Sequence, residues 1–132
     1  MTIPYARWVA TASAALSALL YFLIGNEVLT IGEAASGDAD VLAFGVSAGT
    51  AFVVVAFIVW FARRRWILGL VAIFDALVLG AYFAFAGMRE PAFEPWGLLI
   101  KVCQAVLLAA VAYLIVHPSM KPSLTHSHGG TR

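Results

Sequence analysis

Cysteine is all but missing from this chain: Cys103 stands alone. An intramolecular disulfide, a thiol-pair redox relay and a cysteine-built metal centre are excluded with it. Charge is scarce too, at 11% of 132 residues, against about a quarter in an ordinary soluble domain. The formal net charge of +1 leaves no dedicated surface for nucleic acid. Histidine is confined to His117, His126 and His128 at the C-terminal end, so no pair inside an apolar segment can ligate haem. HExxH, Walker A and GxSxG patterns do not occur, and no cofactor, metal or catalytic group is implied. What is abundant is apolar surface, 63% of the residues. Too little polar surface remains to cover a core in water, so the sequence describes a one-domain integral membrane protein. Cys103, with Val102, Ala105 and Val106 around it, itself reads as a small buried hydrophobe.

Four apolar runs cover residues 5–24, 41–62, 66–87 and 97–116. Each has about the 20 residues that a helix needs to cross some 30 Å of hydrocarbon. Backbone amides cannot go unpaired in lipid, so runs of this length must be helical. A β-barrel needs alternating segments of about 10 residues, and the apolarity here is continuous. The expected fold is all-α: an antiparallel up-down-up-down transmembrane four-helix bundle over residues 1–116, with a disordered cytoplasmic tail over 117–132. A secretory signal peptide is the rival reading of the first run. Its apolar stretch over 8–24 exceeds the usual 7–15 residues, and no small-x-small site follows at once, so an uncleaved span is expected.

Basic residues set the orientation. Arg63, Arg64 and Arg65 are the entire second connection, Arg7 opens the first span, and Lys121 and Arg132 follow the fourth. The first connection instead carries Glu27, Glu33, Asp38 and Asp40 with no basic residue, and the third carries Arg89, Glu90 and Glu94. Lys and Arg excess marks the cytoplasmic side, so both termini and the arginine turn are expected inside, in the cell membrane. Trp8, Trp60, Trp66 and Trp96 fall at the predicted interfaces, where indole rings anchor. The arginine turn is also a candidate contact for anionic headgroups.

Helices in lipid associate through small and polar side chains. The first span offers Ala10, Ser13, Ala14 and Ser17; the second a GxxxG at Gly45 and Gly49; the third Gly69, Ala72, Ala76 and Gly80; the fourth Ala105, Ala109 and Ala112. These are expected to pack internally, ahead of homodimerisation. The three-residue arginine turn is expected to hold the second and third helices side by side.

Asp75 is the residue most suggestive of chemistry. It lies nine positions past Trp66, about 13 Å deep at 1.5 Å per residue, near the bilayer centre. An aspartate there costs on the order of 3 kcal/mol on insertion scales and faces a bundle interior or a wet cavity. It is either a proton or cation site, or a hydrogen-bonded residue tying helices together. Gln104, Ser13 and Ser17 lie at compatible depths and form the expected polar cluster with it. Lys101 shares a face with Gln104, but about 10 Å along the membrane normal separates it from Asp75, so snorkelling to the headgroups is expected. Asn26 and Glu27 read as a solvated cap, and His126-x-His128 supplies too few ligands for a zinc site.

The first span lacks the carboxylate of small multidrug transporters, and the signatures of fluoride channels and of small polyprenyl-sugar flippases are not found. In size and four-span layout the chain resembles the DoxX group, without a shared motif; that resemblance implies a lipid- or quinone-associated membrane protein. Sparse intramembrane polarity favours an accessory or structural subunit, partnered by the bilayer and by another membrane protein or a second copy. The alternative is an oligomeric small transporter or channel using Asp75.

Overall fold

A computed structural model describes residues 2–29, 39–86 and 95–117. The expected tail and most of the first and third connections therefore lie outside the described residues, and with them Glu33, Asp38, Arg89, Glu90, Glu94, His126 and His128. The described chain is helical, without strands: α1 is Ile3–Gly25, α2 Ala39–Phe61, α3 Arg65–Ala86 and α4 Pro95–Val116. Every boundary falls within two residues of the apolar runs, because the runs end where charge, glycine or proline enters. All four helices are long and apolar enough to cross a membrane, which suggests a membrane protein.

Ends of helices carry unpaired backbone groups, and two ends here are closed by side chains or turns. At the end of α1, Glu27 takes a left-handed φ of 58°, with Val28 N donating to the Leu23 carbonyl at 2.9 Å and Glu27 N to that of Ile24 at 3.0 Å. This is a Schellman stop with glutamate in the usual glycine position. Asn26 adds an Nδ2 bond of 2.8 Å to the Phe22 carbonyl, so Asn26 and Glu27 terminate the helix. At the end of α2, the Arg7 guanidinium donates to the carbonyls of Val59, Trp60 and Ala62 at 2.9, 2.9 and 2.8 Å. A cation suits the negative end of a helix dipole. Beside it, Trp8 and Trp60 meet edge to face at 4.8 Å.

The core is built on α1, which packs against α2 and α4; α3 leans chiefly on α4. Ala6, Ala10, Ala14 and Ala18 recur every fourth residue and are all buried, so neighbouring helices approach α1 closely. The opposing stripe on α2 is Gly45, Gly49, Phe52, Val55 and Val59. A Cβ at Gly25 would stand 2.9 Å from the Gly45 Cα, and one at Gly45 would collide with the Gly25 backbone. A Cβ at Gly49 would press on the Phe22 ring at 2.9 Å.

Three packing expectations need correction. Despite the three-residue turn, α2 and α3 share little contact; a short turn fixes where two helices begin, not the angle at which they leave. On α3, Gly69 and Gly80 have nothing within 4 Å of where a Cβ would stand, and Ala76 is exposed. Leu68, Val71 and Asp75 form the buried side of α3 instead, with Ala72 at its margin. On α4, Ala105, Ala109 and Ala112 face outward, because Lys101, Gln104, Leu107, Val111 and Leu114 turn inward. The choice of face on α3 and α4 follows the polar residues, not the small ones.

Candidate functional site

Three helices bring polar side chains into an otherwise apolar interior. Asp75 comes from the middle of α3, Lys101 and Gln104 from the first half of α4, and Ser17 and Tyr21 from the last third of α1. Asp75, Gln104 and Ser17 are wholly buried, and Lys101 is 6% exposed. Lys101 and Gln104 are three residues apart, hence on one helix face. Ser17 and Tyr21 follow the alanine stripe of α1 and share its burial. Ser13 is only partly buried.

Lys101 organises the cluster. Its Nζ donates to Gln104 Oε1 at 2.6 Å and to the Tyr21 hydroxyl at 3.3 Å. It also lies 4.8 Å from the centroid of the Tyr82 ring and 5.9 Å from that of Tyr21. Both are within reach of a cation–π attraction, which strengthens where water is excluded. The expected snorkelling is thus corrected: the stem runs inward, where an amide oxygen, a phenol and two ring faces replace the headgroups. Asp75, on the neighbouring helix α3, is buried in the same interior, and neither of its oxygens is hydrogen-bonded to Lys101.

Part of the cluster's hydrogen-bonding capacity is unused. Both carboxylate oxygens of Asp75, the Gln104 Nε2 and the Ser17 hydroxyl are buried without a hydrogen-bond partner among the described residues. Such groups are costly, since buried polar atoms are nearly always paired. An acceptor pair, an amide donor and a hydroxyl therefore stand unpaired in the interior that also holds the Lys101 ammonium. Around them runs an aromatic wall: Tyr21 stacks on Phe52 at 5.6 Å and meets Phe44 edge to face at 5.9 Å, while Phe52 and Phe74 lie 5.8 Å apart.

Composition did not disclose Tyr21, Tyr82 or Gly97 as part of this neighbourhood. Gly97 is buried, and a Cβ there would stand 2.7 Å from the Tyr82 hydroxyl, so this glycine lets α4 come up to the tyrosine. The available signal was a tyrosine four residues after a span serine, on the same face as Ser17. Cys103 is buried on α4. No group of three His, Cys, Asp or Glu able to hold a metal occurs among the described residues. Arg63, Arg64 and Arg65 are exposed, next to exposed Trp60 and Trp66. Comparison with known protein families, curated proteins and solved structures finds no match.

Proposed function

We propose that this chain is a four-span protein of the cell membrane whose buried cluster, centred on Asp75, is the proton or cation site of a small transporter. The antiparallel up-down-up-down course is supported by contacts along α1. Its second turn, at Arg7, meets the end of α2, and its last residue, Gly25, meets Gly45 near the start of α2. Membrane insertion is supported by an outer surface of large apolar side chains, among them Phe57, Phe61, Leu70, Ile73, Leu77 and Phe83. Cytoplasmic termini rest on the basic residues that flank the spans. The exposed arginine turn, with indoles on either side, suits anionic headgroups.

One observation carries the functional reading: Asp75 is wholly buried with neither carboxylate oxygen hydrogen-bonded among the described residues, while Lys101 is turned into the same interior. An ionisable pair inside an apolar bundle is expensive and marks ion or proton pathways. A mere tie between helices would use the carboxylate oxygens as acceptors. The test is reconstitution in liposomes loaded with a pH-sensitive dye. The wild-type chain is expected to dissipate an imposed pH or cation gradient, and folded Asp75→Asn is expected not to. Equal fluxes from the two proteins would refute this role for Asp75.

The accessory-subunit reading has its own support in α3, which is far less buried inside the bundle than α1. Purification in a mild detergent with mass measurement of bound chains separates the two. A stoichiometric different chain establishes the subunit; a homo-oligomer favours transport.

A further inference from the structure

We propose that Lys101 is the resident cation of this site and sets its specificity, so that Asp75 exchanges protons while inorganic monovalent cations are kept out. The inference rests on reading Asp75 as a protonatable centre, and not on transport. The surroundings of the Lys101 ammonium are those of a small monovalent ion stripped of water. An amide oxygen lies at 2.6 Å, a phenol oxygen at 3.3 Å and an aromatic face at 4.8 Å, and Asp75 is the carboxylate buried in the same interior. Oxygen ligands and ring faces are what alkali and ammonium ions take up in proteins. Here the position is filled by a cation tethered to α4, which competes at the high effective concentration of any intramolecular partner.

Charge balance does the selecting. Asp75 and Lys101 sum to zero, and among the described residues the other titratable side chains against the ammonium, Tyr21 on α1 and Tyr82 on α3, are phenols. Cys103 is the other buried titratable side chain on α4, and described α2 side chains include no titratable group. A sodium or potassium ion beside Asp75 would therefore meet an ammonium with no second buried carboxylate among the described residues to offset it. A proton meets no such obstacle. It bonds to one Asp75 oxygen, needs no added volume, and leaves Lys101 held by Gln104 and Tyr21. Removal of Lys101 would vacate an oxygen-lined, ion-sized position in the interior that holds the Asp75 anion and turn a proton site into a cation site.

Infrared difference spectroscopy on the purified full chain tests this, with the carboxyl stretch of Asp75 assigned by its loss in Asp75→Asn. The band is titrated with pH in choline, sodium and potassium chloride. The wild type and Lys101→Arg are expected to titrate alike in all three salts. Lys101→Met is expected to need about tenfold more protons to protonate Asp75 for each tenfold excess of sodium or potassium over its Kd. Lys101→Gln gives the same reading if the methionine variant does not fold. A sodium or potassium effect on the wild-type band overturns the proposal, as does a folded Lys101→Met or Lys101→Gln without one. If no wild-type band responds to pH at all, the protonatable reading of Asp75 fails first, and the specificity proposal falls with it.

Discussion

An ammonium inside an apolar bundle has lost its water, and what offsets that loss at Lys101 is divided among several partners. Gln104 Oε1 and the Tyr21 hydroxyl accept its hydrogen bonds, Tyr82 presents a ring face, and Asp75 is the carboxylate buried in the same interior. Removing one member of a buried ion pair is costly because the survivor stays charged in a poor medium. Lys101→Met is therefore expected to lower stability by about 3 kcal/mol. Asp75→Asn should cost less, since Lys101 keeps both hydrogen bonds. The double variant is expected to be more stable than Lys101→Met alone, a coupling of about 1–3 kcal/mol in a double-mutant cycle. Reversible unfolding in mixed micelles measures all four proteins. Strict additivity would mean that the two charges do not sense each other. At this scale the sequence was half informative. Asp75, Gln104 and Ser17 could be picked out because polar atoms are rare in the spans. The inward turn of Lys101 could not, because it depends on Tyr21 and Tyr82, which pattern alone leaves indistinguishable from interfacial tyrosines.

Among the elements, α1 is the axis on which the others are arranged, and glycine decides how closely α2 can approach it. The Gly45 Cα lies against the Gly25 backbone, so a methyl group at Gly45 has nowhere to go unless two helices separate. Gly45→Ala is expected to destabilise by about 1–3 kcal/mol, the usual range for overpacking. Gly69→Ala and Gly80→Ala meet nothing and exchange a poor helix former for a good one, so they should be neutral or stabilising by up to about 1 kcal/mol. Thermal unfolding in one detergent compares the three; equal losses would show that the glycines of α3 are packed after all. Helix positions were legible because apolar runs of 20 or more residues admit one backbone solution in lipid. Helix rotation was not. Small residues occur on every span, so their spacing nominated four packing faces, and the structure uses those of α1 and α2. On α3 and α4 the faces are chosen by Asp75, Lys101 and Gln104, whose exposure to an apolar exterior would cost more than leaving alanine and glycine outside.

For the whole molecule, the asymmetry of charge supports one orientation. Arg7, Arg63, Arg64 and Arg65 gather at one end of the bundle, since Arg7 reaches the carbonyls that precede the arginine turn. Glu27 and Val28 lie past the other end of α1. If positive charge is retained on the cytoplasmic side, that first end is inside and Val28 is outside. The lone cysteine makes the test clean. Cys103→Ser gives a cysteine-free background from a buried position, into which Val28→Cys and Arg64→Cys are introduced singly at exposed sites. A membrane-impermeant maleimide added to intact cells is expected to label Val28→Cys, and Arg64→Cys only after permeabilisation. Inverted labelling would place the arginine turn outside, against the charge rule, and would show that a partner or the third connection dictates insertion. Labelling of both sites in intact cells would mean two orientations coexist. The Asp75 site would then be approached from opposite faces in different copies, and net transport measured in liposomes would have to be re-examined with orientation fixed.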